Sequence, residues 1–433
     1  MLQSRLPSPI RVPPAAGSQR GTRTMMLTIV ILILSLTGEI NAYRSVAYFV
    51  NWVMICLCKN CLNVDSMVKG IYARNFTPGD LPADQLTHLN YAFAGVDPHS
   101  GNVVLSDPWA DLEKHYPGDL WTDTSDNLFG SFKQLFLLKK KYRSLKVLLS
   151  IGGWGTHSTN LAKAASTSTG RSNFARSAVQ LVVDLGLDEA EMDSFVQLLQ
   201  ETHQMLGQNA GLKGYPTILT AAISAEHGQI CHFLEPDGIC YAGSWSSAAG
   251  HQANLFPSAI PGHTPFSTEA ALNYYIGTAG LSPSKINIGI PLYGRAFCDT
   301  EGLGSSFNGV ARGSWEDGIW DYKDLPLPGS IEYYDSDAAG WYSYDKEKKI
   351  MVTYDSVCSA QEKADYVKQK GFMYWEASGD KTGKKSIIKA VRVSALTLLV
   401  IVITDKSQVT SGLGSLETSL NSLNYPTSKY KNI

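Results

Sequence analysis

Two kinds of hydrophobic pattern alternate along this chain. Unbroken apolar runs closed by turn residues occur at 46–51 (VAYFVN), 86–96 (LTHLNYAFAGV), 145–154 (LKVLLSIGGW), 217–224 (TILTAAIS), 285–294 (KINIGIPLYG) and 371–375 (GFMYW). Between them lie stretches with apolar residues three and four apart: 127–144, 173–186 and 192–206. The first pattern predicts strands buried on both faces, the second amphipathic helices. Their alternation predicts a parallel sheet with crossover helices. No glycine-rich phosphate loop opens a helix after the first strand, so an α/β TIM (β/α)8 barrel is favoured over a doubly wound sheet.

The texture changes at 296–366. SWEDGIWDYKDLP, IEYYDSD and GWYSYDKEKKIMVTYD alternate aromatic and polar residues between turn signals, which is antiparallel chemistry. A small α+β insertion between the seventh and eighth strands is expected, walling one side of a cleft. A second irregularity sits at 181–195, LVVDLGLDEAEMDSF, where an apolar stretch passes through Gly186 straight into acidic residues.

Composition narrows the class. The 433 residues are 44% hydrophobic with a net charge of -2, which fits a large folded core and gives no sign of a nucleic-acid partner. Nine Trp and 21 Tyr suit either that core or stacking on sugar faces. Residues 1–42 read as a disordered leader followed by a cleavable secretory signal with its apolar core at 26–37, too short for a stable membrane anchor. Secretion to the extracellular space or cell wall is expected. Cys56, Cys58 and Cys61 crowd into CLCKNC, but no second His/Cys pair lies nearby, so neither a metal nor any other cofactor is expected.

The motifs VAYFVNW, IYARNFTP, LTHLNYAFAGV, KVLLSIGGW, YAGSWSS, GHQANLF, IPLYGRAF, GSWEDGIWDYK and MYWEASGDKTG occur in this order, and with them the body from 43 to 433 resembles the fungal chitinases of glycoside hydrolase family 18. The resemblance implies a TIM barrel with the insertion just described. It implies hydrolysis of β-1,4-linked N-acetylglucosamine by a retaining, substrate-assisted mechanism, in which a Glu protonates the leaving oxygen and an Asp two positions earlier holds the substrate's acetamide. Residue by residue it places Tyr48, Trp52, Phe93, Trp154, Arg295 and Trp375 at sugar-binding positions, with Trp375 the floor under the reacting sugar. The implied partner is chitin or its oligosaccharides, bound by a monomer.

The chain departs from that pattern where the chemistry should be. The family's signature, D-x-x-D-x-D-x-E, ends the fourth strand, yet here Asp188 runs directly into Glu189. Glu189 and Glu191 match the helix that follows the strand in the family and lack the D-x-D-W context, so no catalytic residue is assigned. The Tyr–Asp pair expected before YAGSW is also missing; Asp237, Ile239 and Cys240 stand there. The fourth and sixth strands are therefore expected to be largely absent. Segment 53–69 reads as a retained intron, since it begins with Val, whose codon starts with GT, and ends with Lys, whose codon can end in AG; 392–408 similarly interrupts the pattern and is read the same way. Three readings follow: a chitinase inactive as written, a chitin-binding lectin, or a mis-spliced chain that does not fold.

Overall fold

The computed structural model describes residues 43–51, 74–122, 126–153, 156–192, 198, 201–206, 208, 219–220, 240–367, 371–393 and 416–433. The leader and signal segment, the CLCKNC cluster and most of 392–408 lie outside them. So do Trp52 and Trp154.

The first three parallel strands are β1 (Ser45–Val50), β2 (His88–Val96) and β4 (Lys146–Ile151). Between them β3 (Val103–Leu105) folds back antiparallel on β2. All nine residues of β2 and all six of β4 are buried, as strands covered on both faces must be. β13 (Gly371–Trp375) lies beside β1, and β7 (Asn287–Pro291) lies beside β13. Helices cover the outside. α1 (Gly130–Lys141) buries Phe132, Leu135 and Phe136, spaced three and four apart. α2 (Thr156–Ala165) leads to α3 (Ser168–Asp184), which turns Phe174, Ala178 and Val182 inward. The Thr167 side chain caps α3 by accepting from the Gly170 amide at 3.0 Å.

At the fourth position the structure corrects the sequence reading. Glu189–Met192 form a strand, β5, paired parallel with β4, not the start of a helix. Its far edge carries β6 (Leu219–Thr220). The strand order is thus β6-β5-β4-β2-β1-β13-β7, and the third strand does not meet the fifth directly. The physical cause is the edge of β4. Its backbone donors and acceptors need partners, and that need overrides the weak strand propensity of Glu-Ala-Glu-Met. Among the described residues no strand joins β6 to β7, which form the two ends of the path.

β8 (Tyr293–Phe297) begins two residues after β7 and opens a second, antiparallel sheet. It runs β10 (Ile331–Asp335), β11 (Gly340–Asp345), β12 (Ile350–Thr353), β8 and β9 (Ile319–Asp321). Among the helices that follow β6, α4 (Thr268–Leu272) precedes β7 and α5 (Val357–Val367) connects the second sheet to β13. Asp335 ties the loop before α4 to this sheet, lying 3.3 Å from His251 Nε2 and 3.1 Å from His263 Nδ1.

The C-terminal residues 416–433 strap the amino ends of the parallel strands. Asn421 Nδ2 donates to the carbonyls of Lys139, Tyr142 and Leu145 at 3.0, 3.2 and 2.7 Å, capping the end of α1. Glu417 pairs with Lys146 at 2.7 Å and with Arg44 at 3.2 Å. Leu416 bridges to Tyr43.

Candidate active site at the carboxyl ends of the strands

Parallel α/β barrels build their sites at the carboxyl ends of their strands. Three of the sequence-derived site residues meet there. Tyr48 lies in β1, Phe93 in β2 and Trp375 ends β13. The Tyr48 and Trp375 rings are 4.7 Å apart between centroids, Phe93 and Trp375 are 5.8 Å apart and nearly parallel, and Tyr48 and Phe93 are 6.3 Å apart. Phe93 sits where the β2–β4 register shifts between Ala92 and Ala94. Such a bulge re-aims a side chain relative to its neighbours. Gly153, at φ +96°, makes the space: a Cβ there would stand 2.9 Å from the Phe93 ring. The Ala92–Phe93 and Trp375–Glu376 peptide bonds are both cis.

Arg295 is placed by β8, whose chain leaves β7 beside Trp375; the Leu292 amide donates to the Trp375 carbonyl at 2.7 Å. Its guanidinium lies over the Trp245 ring at 4.7 Å, and its Nε donates to Cys240 Sγ at 3.2 Å. The same sulfur is 2.6 Å from the Tyr293 hydroxyl. Cys240 thus stands beside Arg295 at a position where the sequence comparison expected an acid or its neighbour.

A second set of residues escaped the sequence reading. Arg74 reaches Glu376, the residue after Trp375, and donates to Ser378 Oγ at 2.6 Å. It also lies 3.3 Å from Asp321 Oδ1 of β9 and stacks at 5.2 Å on Trp315. Trp315 Nε1 donates to Asp321 Oδ2 at 2.8 Å. This largely buried network joins the chain entering β2, the end of β13 and the second sheet behind Trp375. The only sequence signal for it was an acid directly following a strand-ending Trp.

Asp188, the acid just before the break in the family pattern, is engaged elsewhere. Its amide donates to the Val147 carbonyl near the amino end of β4, and its Oδ2 accepts from the Val147 amide at 2.8 Å. Lys139 Nζ pairs with Oδ2 at 2.8 Å, and the Ser422 amide donates to Oδ1 at 2.8 Å. Both its carboxylate oxygens serve the floor of the fold.

The profile of Glycosyl hydrolases family 18 matches residues 67–380. The chain belongs to glycosyl hydrolase family 18. It is similar to Endochitinase 1 of Metarhizium robertsii, 39% identical over 92% of this chain and 92% of that protein. In structure it resembles the catalytic domain of the psychrophilic chitinase B from Arthrobacter TAD20, with a TM-score of 0.70 and 24% identity, over 89% of this chain and 100% of that one. Human YKL-39, described as a pseudo-chitinase with retained chitooligosaccharide binding properties, aligns at a TM-score of 0.65 and 21% identity, over 82% of this chain and 99% of that one. The chain is therefore a family 18 chitinase-type hydrolase by descent, on a barrel-type fold. Among the described residues no helix is long and apolar enough to cross a membrane.

Proposed function

We propose that this chain is a secreted family 18 protein that binds chito-oligosaccharides at the Tyr48–Phe93–Trp375 cluster and does not hydrolyse them as written. The convergence of those three rings at the carboxyl ends of β1, β2 and β13 carries the binding half of this reading. Flat aromatic faces match the apolar faces of pyranose rings. The family resemblance assigns Trp52, Trp154 and Arg295 to sugar binding as well; of these the structure describes Arg295, whose guanidinium lies over Trp245.

The hydrolytic half fails on chemistry. Substrate-assisted cleavage needs an acid to protonate the leaving oxygen and a carboxylate to hold the acetamide. Counting the signature from Asp188 along the chain meets Glu191 and Asp193 at the second and third acid positions, but Phe195 where the proton donor belongs. A phenyl ring holds no transferable proton. The human pseudo-chitinase is the precedent for binding without cleavage.

Replacing Trp375 with alanine removes the largest of the three rings. It is expected to weaken chitotetraose binding by about 2 kcal/mol, roughly thirtyfold in Kd, as loss of a central aromatic anchor does. Isothermal calorimetry measures this. Equal affinity in the Trp375→Ala variant would remove the cluster from the binding path.

A further inference from the structure

A buried carboxyl outside the ring cluster has no role so far. Asp111 lies in the single turn Trp109–Glu113 that follows β3 and is fully buried. Its Oδ1 accepts from the Tyr91 hydroxyl and from Asn51 Nδ2, both at 2.5 Å. Neither donor is a cation, and the charge that acts most directly on Asp111 is another carboxylate, Asp107. Two buried acceptors face this pair without a donor among the described residues: Asp111 Oδ2 and Asn51 Oδ1. An ionised carboxylate can supply neither with a hydrogen.

We propose that Asp111 carries a proton in the folded protein under mildly acidic conditions and, as a neutral carboxyl, positions Asn51 at the mouth of the barrel. A hydrogen on Oδ2 gives the carboxyl a donor beside its acceptor. The Asn51 amide offers the complementary pair, so acid and amide can exchange two hydrogen bonds. Asn51 follows β1 and is itself buried, its amide held by the Ala92 carbonyl at 3.1 Å. Asp111 thereby fixes the carboxyl end of β1.

The surroundings keep the carboxyl from water. Asn51 comes from the end of β1, Tyr91 from β2 and the buried Ser131 from α1. The turn is clamped to the start of α1: the Phe129 amide donates to the Leu112 carbonyl at 3.0 Å and the Gly130 amide to the Lys114 carbonyl at 2.9 Å. Gly130, at φ +62°, is required there, because a Cβ would come within 2.3 Å of the Asp111 carbonyl oxygen. Burial pushes the Asp111 carboxyl up to about 7, against the hydrogen bonds from Tyr91 and Asn51; the Asp107 charge adds to the rise while its backbone amide opposes it.

The sign follows from linkage. A carboxyl in the unfolded chain titrates near about 4. Asp111 binds its proton more tightly when folded, so its stabilisation is complete below about pH 4 and is lost as pH rises through about 7. Between about pH 5.5 and 8.5 the folding equilibrium constant should fall roughly thirtyfold from this group alone.

Thermal melts of the wild type and Asp111→Asn across about pH 5 to 8.5 test this. The amide imitates the neutral acid, so the variant should lack the alkaline fall and melt above the wild type at the high end. Parallel curves over the whole range would overturn the proposal. Should Asp111→Asn not fold, infrared spectra decide in an Asp380→Asn background, which removes another carboxyl that burial raises. A protonated-carboxyl band that titrates away near neutrality supports the proposal, and its absence at mild acidity overturns it. Neither readout depends on sugar binding.

Discussion

Replacing Asp188 with alanine is expected to lower stability by about 3–5 kcal/mol, the usual consequence of removing one partner of a buried ion pair. Lys139 is 0% exposed, and its Nζ also donates to the Gly186 carbonyl at 2.6 Å and the Tyr425 hydroxyl at 2.8 Å. Without Asp188 the ammonium stays buried beside the Gly186 carbonyl and the Tyr425 hydroxyl. The Val147 and Ser422 amides lose their acceptor as well, so the strap and β5 loosen together. Urea denaturation reads the effect as a lower midpoint with little change in slope. A shift within about 0.5 kcal/mol, the range of ordinary surface substitutions, would show that the pair does not hold the floor.

The second large effect concerns catalysis. Inserting Gly-Ile-Asp-Ile-Asp-Trp-Glu-Tyr-Pro after Asp188, together with the sixth strand and its Tyr–Asp pair, returns a proton donor and an acetamide-holding carboxylate. A positioned general acid is worth about a hundred- to ten-thousandfold in rate. The repaired chain should therefore release fluorophore from a chitobioside substrate faster than the original by at least that range. No gain, in a repaired chain that melts cooperatively, would mean that the loss of activity lies elsewhere than in the acids.

How far the sequence foretold this molecule depends on how local each feature is. β1, β2 and β4 were legible because strands buried on both faces are apolar throughout, and LKVLLSIGGW can be little else. The antiparallel strands Gly340–Asp345 and Ile350–Thr353 were legible from alternation and turns. β5 was not. Glu-Ala-Glu-Met carries no strand pattern, and it becomes a strand because the open edge of β4 lies beside it. The rings of Tyr48, Phe93 and Trp375 could be named from motifs, whereas the bulge that aims Phe93 leaves no mark in the sequence. Arg74 and Glu376 are separated by 302 positions, so nothing local announces their pairing. The partners of Asp188 were not legible either: Lys139 and the C-terminal strap lie far from it in sequence.

The proposed sugar-binding cluster and the proposed loss of the proton donor can be tested in a single incubation. Purified protein held with chitotetraose is analysed by native mass spectrometry after several hours. The expected spectrum contains a complex of one chain with one intact tetrasaccharide and no shorter oligosaccharides. Accumulating di- or monosaccharide would contradict the loss of hydrolysis, and a spectrum of free protein alone would contradict the surviving cleft.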